Sequence, residues 1–164
     1  MIILLMGPAG SGKTAVGKLL AAQLSWEFAD GDDFHPPTNV AKMAGGVPLT
    51  DDDRLPWLQS IRDAMLEWQA QGKSVVVACS ALKRSYRELL GINPNAKDVK
   101  LVYLKGSYDL LLGRLHSRKG HYMKEQMLLS QLADLEEPTD ALIIDVSKSP
   151  EQIVSEISKQ LKLA

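Results

Sequence analysis

A glycine-rich segment that directly follows an apolar run constrains the fold of this chain more than any other feature. Residues 1–6 are apolar enough for a buried strand, residues 15–24 carry apolar positions at helical spacing, and between them lie Gly7, Pro8, Ala9, Gly10, Ser11, Gly12, Lys13 and Thr14. This segment fits the pattern Gly, any four residues, Gly, Lys, then Ser or Thr. Its glycines let backbone N–H groups converge on an anion, and the N-terminus of the following helix points at the same place. The sequence therefore predicts a strand, a phosphate-binding loop and a helix, although a glycine-rich turn without a ligand also fits the loop pattern taken alone.

The end of this motif predicts which groups of a nucleotide are held. Lys13 is placed to reach the β- and γ-phosphates of ATP or GTP, and the Thr14 hydroxyl is placed to ligate Mg²⁺. The backbone of residues 7–12 would cradle the phosphates. We therefore expect residues 7–14 as a whole to bind the nucleotide.

Composition narrows the class of partner. The chain has 164 residues, which suits a single domain over residues 1–164, and its net charge of -1 gives no basic excess that would favour nucleic acid. Cys79 is the single cysteine, which excludes an internal disulfide and a cysteine-based metal cluster. No apolar stretch approaches the roughly 20 residues that span a bilayer, and the N-terminus has no positively charged leader. We expect a cytoplasmic protein with a small-molecule partner and neither nucleic acid nor membrane contacts.

The distribution of apolar runs predicts an α/β fold. Runs rich in Val, Ile and Leu are expected to form strands at residues 1–6, 74–79, 99–104 and 141–146, with a weaker short strand at 26–29. These runs are continuous rather than alternating, as expected for parallel strands covered on both faces. Helical patterns lie between them, including a long helix that begins at Thr50 and ends near Gly72 and a last helix from Pro150 to Leu163.

In an open parallel sheet the ligand lies beyond the carboxyl ends of the strands. Asp30 and Asp32 follow the second predicted strand, Ser80 and Lys83 follow the third, and Pro150 comes shortly after the last. We expect these residues to surround the ligand site at the end of the sheet where the phosphate-binding loop lies.

An acidic turn offers a base for phosphoryl transfer. Asp30, Asp32 and Asp33 come close to the predicted positions of Lys13 and Thr14. Transfer to an alcohol requires an acceptor for the hydroxyl proton and support for Mg²⁺. We predict Asp32 as the base, with Asp30 or Asp33 in support; an ordinary acidic turn also fits these residues.

The polar segment 35–54 is a candidate substrate-holding region. It is too polar and too interrupted by Pro and Gly for a core strand. His35, Lys42 and Arg54 are available to bind oxygen atoms, and Arg54 suits a carboxylate because its planar fork pairs two oxygens at once. For residues 51–52 a helix-capping role is favoured.

The segment 114–124 contains several cations and no acid. Arg114 and Arg118 are spaced i, i+4, so a helix would place both on one face and within reach of ATP. Gly120 offers a hinge for a lid that closes over the site and excludes water. A solvated basic face also fits this composition.

Together these residues make the chain resemble the gluconokinases of the small type, which belong to the P-loop kinases with the shikimate and adenylate kinases. The resemblance covers nearly the whole chain. It rests most specifically on residues 30–32, 35–36, 42–43, 48–54, 56–58, 79–83, 103–106, 118–121, 126–128 and 135–138.

This resemblance implies a three-layer P-loop kinase fold with a five-stranded parallel sheet of order 2-3-1-4-5. It also implies transfer of phosphate from ATP to D-gluconate with Mg²⁺, a substrate-binding segment over about 35–71, a mobile lid over about 114–124, and commonly a homodimer. Two positions depart from the family pattern. Asp33 stands where an apolar residue is common, and Thr14 stands where Ser is frequent.

The resemblance also implies roles for individual residues. Asp32 resembles the base, Lys13 and Arg118 complete the catalytic set, and Thr14 and Asp30 would ligate the metal. By the resemblance, contacts to the sugar acid would come from His35, Arg54, Lys83 and His121. The positions of Asp32, Lys42 and Ser80 in the sequence add these three residues to the predicted contacts. Arg114 and Arg118 resemble lid arginines on the nucleotide side, and Pro150 is predicted to bind the nucleotide from its position after the last strand.

Two alternatives remain open at this point. The same machinery could act on shikimate, another sugar acid or a nucleoside monophosphate, although the last would favour several arginines in segment 35–54, where Arg54 stands alone. A nucleotide-binding regulator would usually have an apolar strand that ends in an acidic residue. Here the third strand ends in Cys79 and Ser80, while Asp145 at the end of a later strand leaves this second reading open.

Overall fold

The structure is a computed structural model that describes residues 1–93, 95–117 and 121–163. Within them, five parallel strands form one sheet in the order β2-β3-β1-β4-β5. The strands are β1 (Ile2–Met6), β2 (Glu27–Asp30), β3 (Val75–Ala78), β4 (Val99–Lys105) and β5 (Leu142–Asp145). The predicted α/β class, strand number and strand order are confirmed.

Helices alternate with these strands. They are α1 (Lys13–Leu24), α2 (Pro37–Ala44), α3 (Asp51–Ala70), α4 (Arg84–Leu89), α5 (Tyr108–His116), α6 (His121–Asp134) and α7 (Pro150–Gln160), with a short 3-10 helix at Gly31–Phe34. Among the described residues, no helix is both long and apolar enough to cross a membrane.

Strand β1 lies at the centre of the sheet and is buried on both faces. Leu4 is in register with Val77 on one side and with Leu101 on the other. On one face Leu4 belongs to a core cluster that includes Leu58 of α3. On the other face Leu5 belongs to a cluster that includes residues of α1 and α7. The continuous apolar run of β1 is therefore explained by helices on both sides of the sheet.

The start of α3 differs in detail from the sequence-based expectation. Thr50 caps the helix, since its hydroxyl accepts from the Asp53 backbone N–H at 3.1 Å and the Asp53 carboxylate accepts from the Thr50 N–H at 2.9 Å. The cap therefore uses Asp53, whereas Asp51 accepts a hydrogen bond from Lys83. Asp51 therefore does not cap the helix, but it lies with Asp52 in the first turn of α3, where a negative charge complements the helix dipole as predicted.

Candidate active site

A cleft of about 360 Å³ lies at the carboxyl ends of the strands. It is bounded by the phosphate-binding loop, the turn after β2, the segment between α2 and α3, and one face of α6. The predicted site residues that line it are Ala9, Gly10, Gly12, Lys13, Thr14, Asp30, Asp32, His35, Arg54 and Ser80.

The phosphate-binding loop has the backbone shape that its glycines permit. Gly10 and Gly12 have φ values of +83° and +89°, in the left-handed region that other residues rarely adopt. A Cβ on Gly10 would also lie 2.8 Å from the backbone oxygen of Leu111. Lys13 Nζ donates to the backbone oxygens of Gly7 at 2.9 Å and Pro8 at 3.2 Å, which holds the ammonium group at the loop. The loop is thus preformed with a cation beside it.

Asp30 connects the loop to the acidic turn. Its Oδ2 accepts from the Thr14 hydroxyl at 3.0 Å, and its Oδ1 accepts from the Asp32 backbone N–H at 3.0 Å. A hydroxyl and a carboxylate side by side are the oxygen ligands that Mg²⁺ prefers, and Mg²⁺ commonly takes its remaining ligands from phosphates and water. The described residues contain no group of three or more His, Cys, Asp or Glu arranged to hold a metal. The Thr14 and Asp30 pair therefore fits a metal that is bound together with a nucleotide.

The Asp32 carboxyl lies in the cleft in a setting that favours proton binding. The Asp32 side chain is exposed to solvent within the cleft, but the surrounding protein removes part of the water around its carboxyl group. This partial desolvation raises the pKa of Asp32 above the ordinary value of 3.8. The charge of Asp30 raises the pKa further, Lys13 opposes this effect, and Asp33 adds to it. A carboxylate with a raised pKa is a better proton acceptor than an ordinary Asp.

Trp57 of α3 holds the acidic turn after β2 in place. Its indole N–H donates to the Gly31 backbone oxygen at 2.7 Å, and the ring is 2% exposed. Gly31 leaves no room for a side chain, because a Cβ there would lie 2.6 Å from the Ala78 backbone oxygen. The position of Asp32 is therefore set by close packing between α3 and the end of β3.

His35 lies against the same tryptophan. The two rings are stacked with centroids 4.2 Å apart and planes at 14°, and Asn39 Nδ2 lies 3.2 Å from His35 Nδ1. Burial, together with the nearby Arg54 charge, lowers the pKa of His35 to about 4. The ring is therefore neutral near pH 7, and if Nδ1 accepts from Asn39, its proton is on Nε2.

Acidification is expected to destabilise the protein through His35. Because its pKa is about 4 in the folded state and 6.5 ordinarily, the unfolded chain binds more protons between these values. The free energy of unfolding should then fall as the pH is lowered from 6.5 towards 4. In His35→Gln, which does not titrate, the fall should be smaller. Melting temperatures of both proteins across this pH window test the expectation, and parallel curves would contradict it.

Arg54 lies at the wall of the cleft and is 7% exposed. Its Nη1 donates to the Tyr86 hydroxyl at 2.8 Å and to Asp134 Oδ2 of α6 at 2.9 Å. The Tyr86 hydroxyl donates in turn to Asp51. Arg54 is therefore a buried cation in a polar network at the place where the sequence predicted a carboxylate-binding group.

The two lysines predicted for the substrate lie outside the lining of the cleft. Lys42 Nζ is 2.7 Å from Asp53 Oδ2, and Lys83 Nζ is 2.9 Å from Asp51 Oδ1. Both ion pairs join a separate segment to the start of α3. A substrate role for either lysine stays a prediction.

The nucleotide-side residues are described in part. Arg114 Nη2 donates to the Val146 backbone oxygen, and Arg114 Nη1 would lie 3.8 Å from a Cβ on Gly12, so this side chain lies beside the phosphate-binding loop. Pro150 is the first residue of α7. The role predicted for Pro150 stays a prediction.

The remaining residues of the predicted lid lie next to the described residues or outside them. Helix α5 ends at His116, and Arg118 and Gly120 lie outside the described residues. The predicted pairing of Arg114 with Arg118 on one helical face therefore stays a prediction. His121 is the first residue of α6, and its side chain is outside the description.

Some residues of the site were given no role by the sequence analysis. Gln131 Oε1 accepts from the Ala9 backbone N–H of the phosphate-binding loop at 2.6 Å, and Gln131 lines the cleft with Gln126, Met127 and Ser130. The helical spacing of these four polar and apolar positions on α6 was visible in the sequence. Nothing in that spacing indicated that the phosphate-binding loop would be their neighbour.

Three features together define a P-loop kinase. They are a central strand followed by a phosphate-binding loop, a sheet of order 2-3-1-4-5, and an acidic turn beside the loop. A family model described as shikimate kinase matches residues 9–162. The chain is 46% identical to the thermoresistant gluconokinase of Escherichia coli (strain K12), over 98% of this chain and 93% of that relative. The chain belongs to the gluconokinase family.

Solved structures agree with this assignment. A sugar kinase from Janibacter sp. HTCC2649 is 40% identical with a TM-score of 0.88, covering 99% of this chain and 95% of that one. A gluconokinase from Sinorhizobium meliloti 1021 is 39% identical with a TM-score of 0.81, covering 98% and 94%. The protein is thus a phosphotransferase that uses ATP, and the predicted kinase class is confirmed.

Proposed function

We propose that the protein transfers the γ-phosphoryl group of ATP to D-gluconate and forms 6-phospho-D-gluconate. The observation that carries this proposal is that one cleft contains the phosphate-binding loop, the Asp32 carboxyl and the buried Arg54. The loop would bind the phosphoryl donor, the Asp32 carboxyl would deprotonate the acceptor hydroxyl, and Arg54 would bind the acidic end of the acceptor. The gluconokinase relatives support D-gluconate as that acceptor.

Asp32 accepts the proton of the gluconate 6-hydroxyl as the hydroxyl oxygen attacks the γ-phosphorus of ATP. The bond from the γ-phosphorus to the β–γ bridging oxygen breaks, and ADP leaves with that oxygen. Lys13 and Arg114 offset the charge of the phosphates, and Arg118 is assigned to the same task by the family resemblance. The raised pKa of Asp32 suits it to this role.

Thr14 and Asp30 would hold Mg²⁺ with the nucleotide. The ion would supply positive charge to the β- and γ-phosphate oxygens. Independently of the ion, Asp30 also fixes the backbone of the turn through its bond to the Asp32 N–H. Replacement of Asp30 would therefore affect both the metal site and the position of the base.

Arg54 is the residue assigned to the gluconate carboxylate, because its guanidinium lies at the wall of the cleft. The neutral His35 ring and the Ser80 side chain face the same cleft and suit the sugar hydroxyls. Lys83 and His121 are further substrate contacts by resemblance, and Lys42 is a further contact predicted from the polar segment 35–54. Closure of a lid over residues 114–124 would exclude water during transfer.

A homodimer and a cytoplasmic location complete the proposal. The homodimer rests on the family resemblance, and the cytoplasmic location rests on the composition of the chain, in which Cys79 is the single cysteine. Light scattering on the purified protein would decide the oligomeric state, and a mass of 18.0 kDa would indicate a monomer.

Acceptor-dependent release of ADP from Mg²⁺-ATP tests the function. D-gluconate, shikimate, AMP and a sample without acceptor are compared in parallel, and the phosphorylated product is identified by phosphorus NMR. We expect turnover with D-gluconate and a phosphomonoester on its primary carbon. Turnover with shikimate alone would move the protein to another acceptor, and ATP binding without acceptor-dependent turnover would favour a regulator.

A further inference from the structure

The cations predicted to hold an acidic substrate are already paired with carboxylates of the protein itself. The two lysines are bound to acidic residues at the start of α3, away from the cleft. Arg54 lines the cleft and is bound to Asp134 of α6 at 2.9 Å. An anionic substrate that reaches Arg54 therefore meets a cation whose charge is already neutralised.

The Arg54 and Asp134 pair differs from the other two pairs in its burial. The Arg54 side chain is 9% exposed and that of Asp134 is 27% exposed, so the cation is enclosed while its anion is partly reached by solvent. A buried guanidinium needs an anion, because an unpaired buried charge is strongly unfavourable. A second carboxylate brought to the same guanidinium would be repelled by the first. Binding of Asp134 and binding of a substrate carboxylate to Arg54 therefore oppose each other.

We propose that Asp134 weakens the binding of an acidic acceptor by occupying Arg54 until a substrate carboxylate displaces it. This inference rests on the proposed function. A neutral acceptor cannot replace the anion that Arg54 would lose, so it leaves the internal pair intact and gains nothing from Arg54. An acidic acceptor replaces one ion pair by another, and its affinity is reduced by the cost of breaking the first.

The substitution Asp134→Asn tests this competition, because it removes the charge and keeps an oxygen that accepts from Arg54. We expect the Kd of D-gluconate, measured by calorimetry without nucleotide, to fall about fivefold or more, which is the lower end of ordinary coupling between two sites. The neutral polyol D-glucitol should bind as weakly as it does to the wild type. Without ligand the variant should melt at a lower temperature, and D-gluconate should raise its melting temperature more than that of the wild type.

Two further variants make the result specific. Asp140→Asn removes one exposed negative charge after α6 and should leave the Kd of D-gluconate unchanged. Asp134→Ser is a second neutral substitution that makes the same prediction if Asp134→Asn does not fold. A purely structural role for Asp134 would weaken D-gluconate binding rather than strengthen it.

The outcomes separate this inference from the proposed function. If the wild type binds D-gluconate and a folded neutral variant at position 134 binds it no more tightly, the inference is overturned. Equal strengthening for D-glucitol would also overturn it, since that result indicates a larger cleft rather than a released charge. A wild type that is folded, binds ATP and does not bind D-gluconate would overturn the proposed function and with it this inference.

Discussion

Replacement of Asp32 by Asn is expected to lower kcat about 10²–10⁴-fold, the range that a general base usually contributes. Asn has the same shape and cannot accept the hydroxyl proton. The phosphate-binding loop is not altered, so ATP binding should stay within about threefold of the wild type, as for an interaction made only in the transition state. Steady-state kinetics with D-gluconate and a separate ATP-binding titration measure both quantities.

Asp33→Asn is the matched control for this prediction. Asp33 is the next residue, is exposed and does not line the cleft. It should retain most of the activity, and a loss equal to that of Asp32→Asn would move the base to Asp33. The wild-type profile of kcat/KM should fall as the pH drops through the pKa of Asp32, because the charged form is the active one. That fall should lie above the ordinary 3.8 of an Asp carboxyl.

Replacement of Trp57 by Ala is expected to lower the free energy of unfolding by about 3–5 kcal/mol, the usual cost of deleting a buried aromatic ring. The ring is 2% exposed, stacks on His35 and donates to the Gly31 backbone oxygen at 2.7 Å. Trp57→Phe keeps a ring but leaves the Gly31 oxygen without its donor, which should cost about 1–3 kcal/mol. Denaturant unfolding of the three proteins gives these differences.

Trp68→Phe provides the comparison for Trp57→Phe. Trp68 lies on the same helix, is partly buried and contacts Phe34 edge to face with ring centroids 6.5 Å apart. Its replacement should cost less than that of Trp57. If both substitutions cost the same, the hydrogen bond to Gly31 contributes nothing measurable, and the anchoring of the catalytic turn by α3 is wrong.

Local patterns were sufficient to predict the strands and their parallel arrangement, while the strand order was implied by the family resemblance. The continuous apolar run of β1, with the glycines behind it, requires a buried parallel strand and a phosphate-binding loop, and both are present. The helix α3 was predicted from its cap at Thr50 and its end near Gly72. In contrast, α2 was missed because its eight residues lie between Pro36 and Gly45, which interrupt the pattern on both sides.

Contacts between distant segments explain what the sequence could not predict. The buried Asn39 side chain donates to the Asp53 backbone oxygen at 2.8 Å and so holds α2 against the start of α3. The partner of Arg54 is Asp134, 80 positions away, and no spacing rule relates the two. The residue types needed for chemistry were therefore visible in the sequence, while their pairing depends on how α6 packs over the cleft.

The contact of α6 with the phosphate-binding loop has a consequence for synthesis of the chain. Ala9 and Gln131 are 122 positions apart, and the ribosome adds about 5–20 residues per second, so roughly 6–24 s separate their appearance. During that interval the loop and the acidic turn exist without the helix that forms one wall of their cleft. The central strand β1 also lacks its neighbour β4 until residues 99–105 are made. The nascent protein therefore gains its enclosed nucleotide and acceptor site only after α6 has been made.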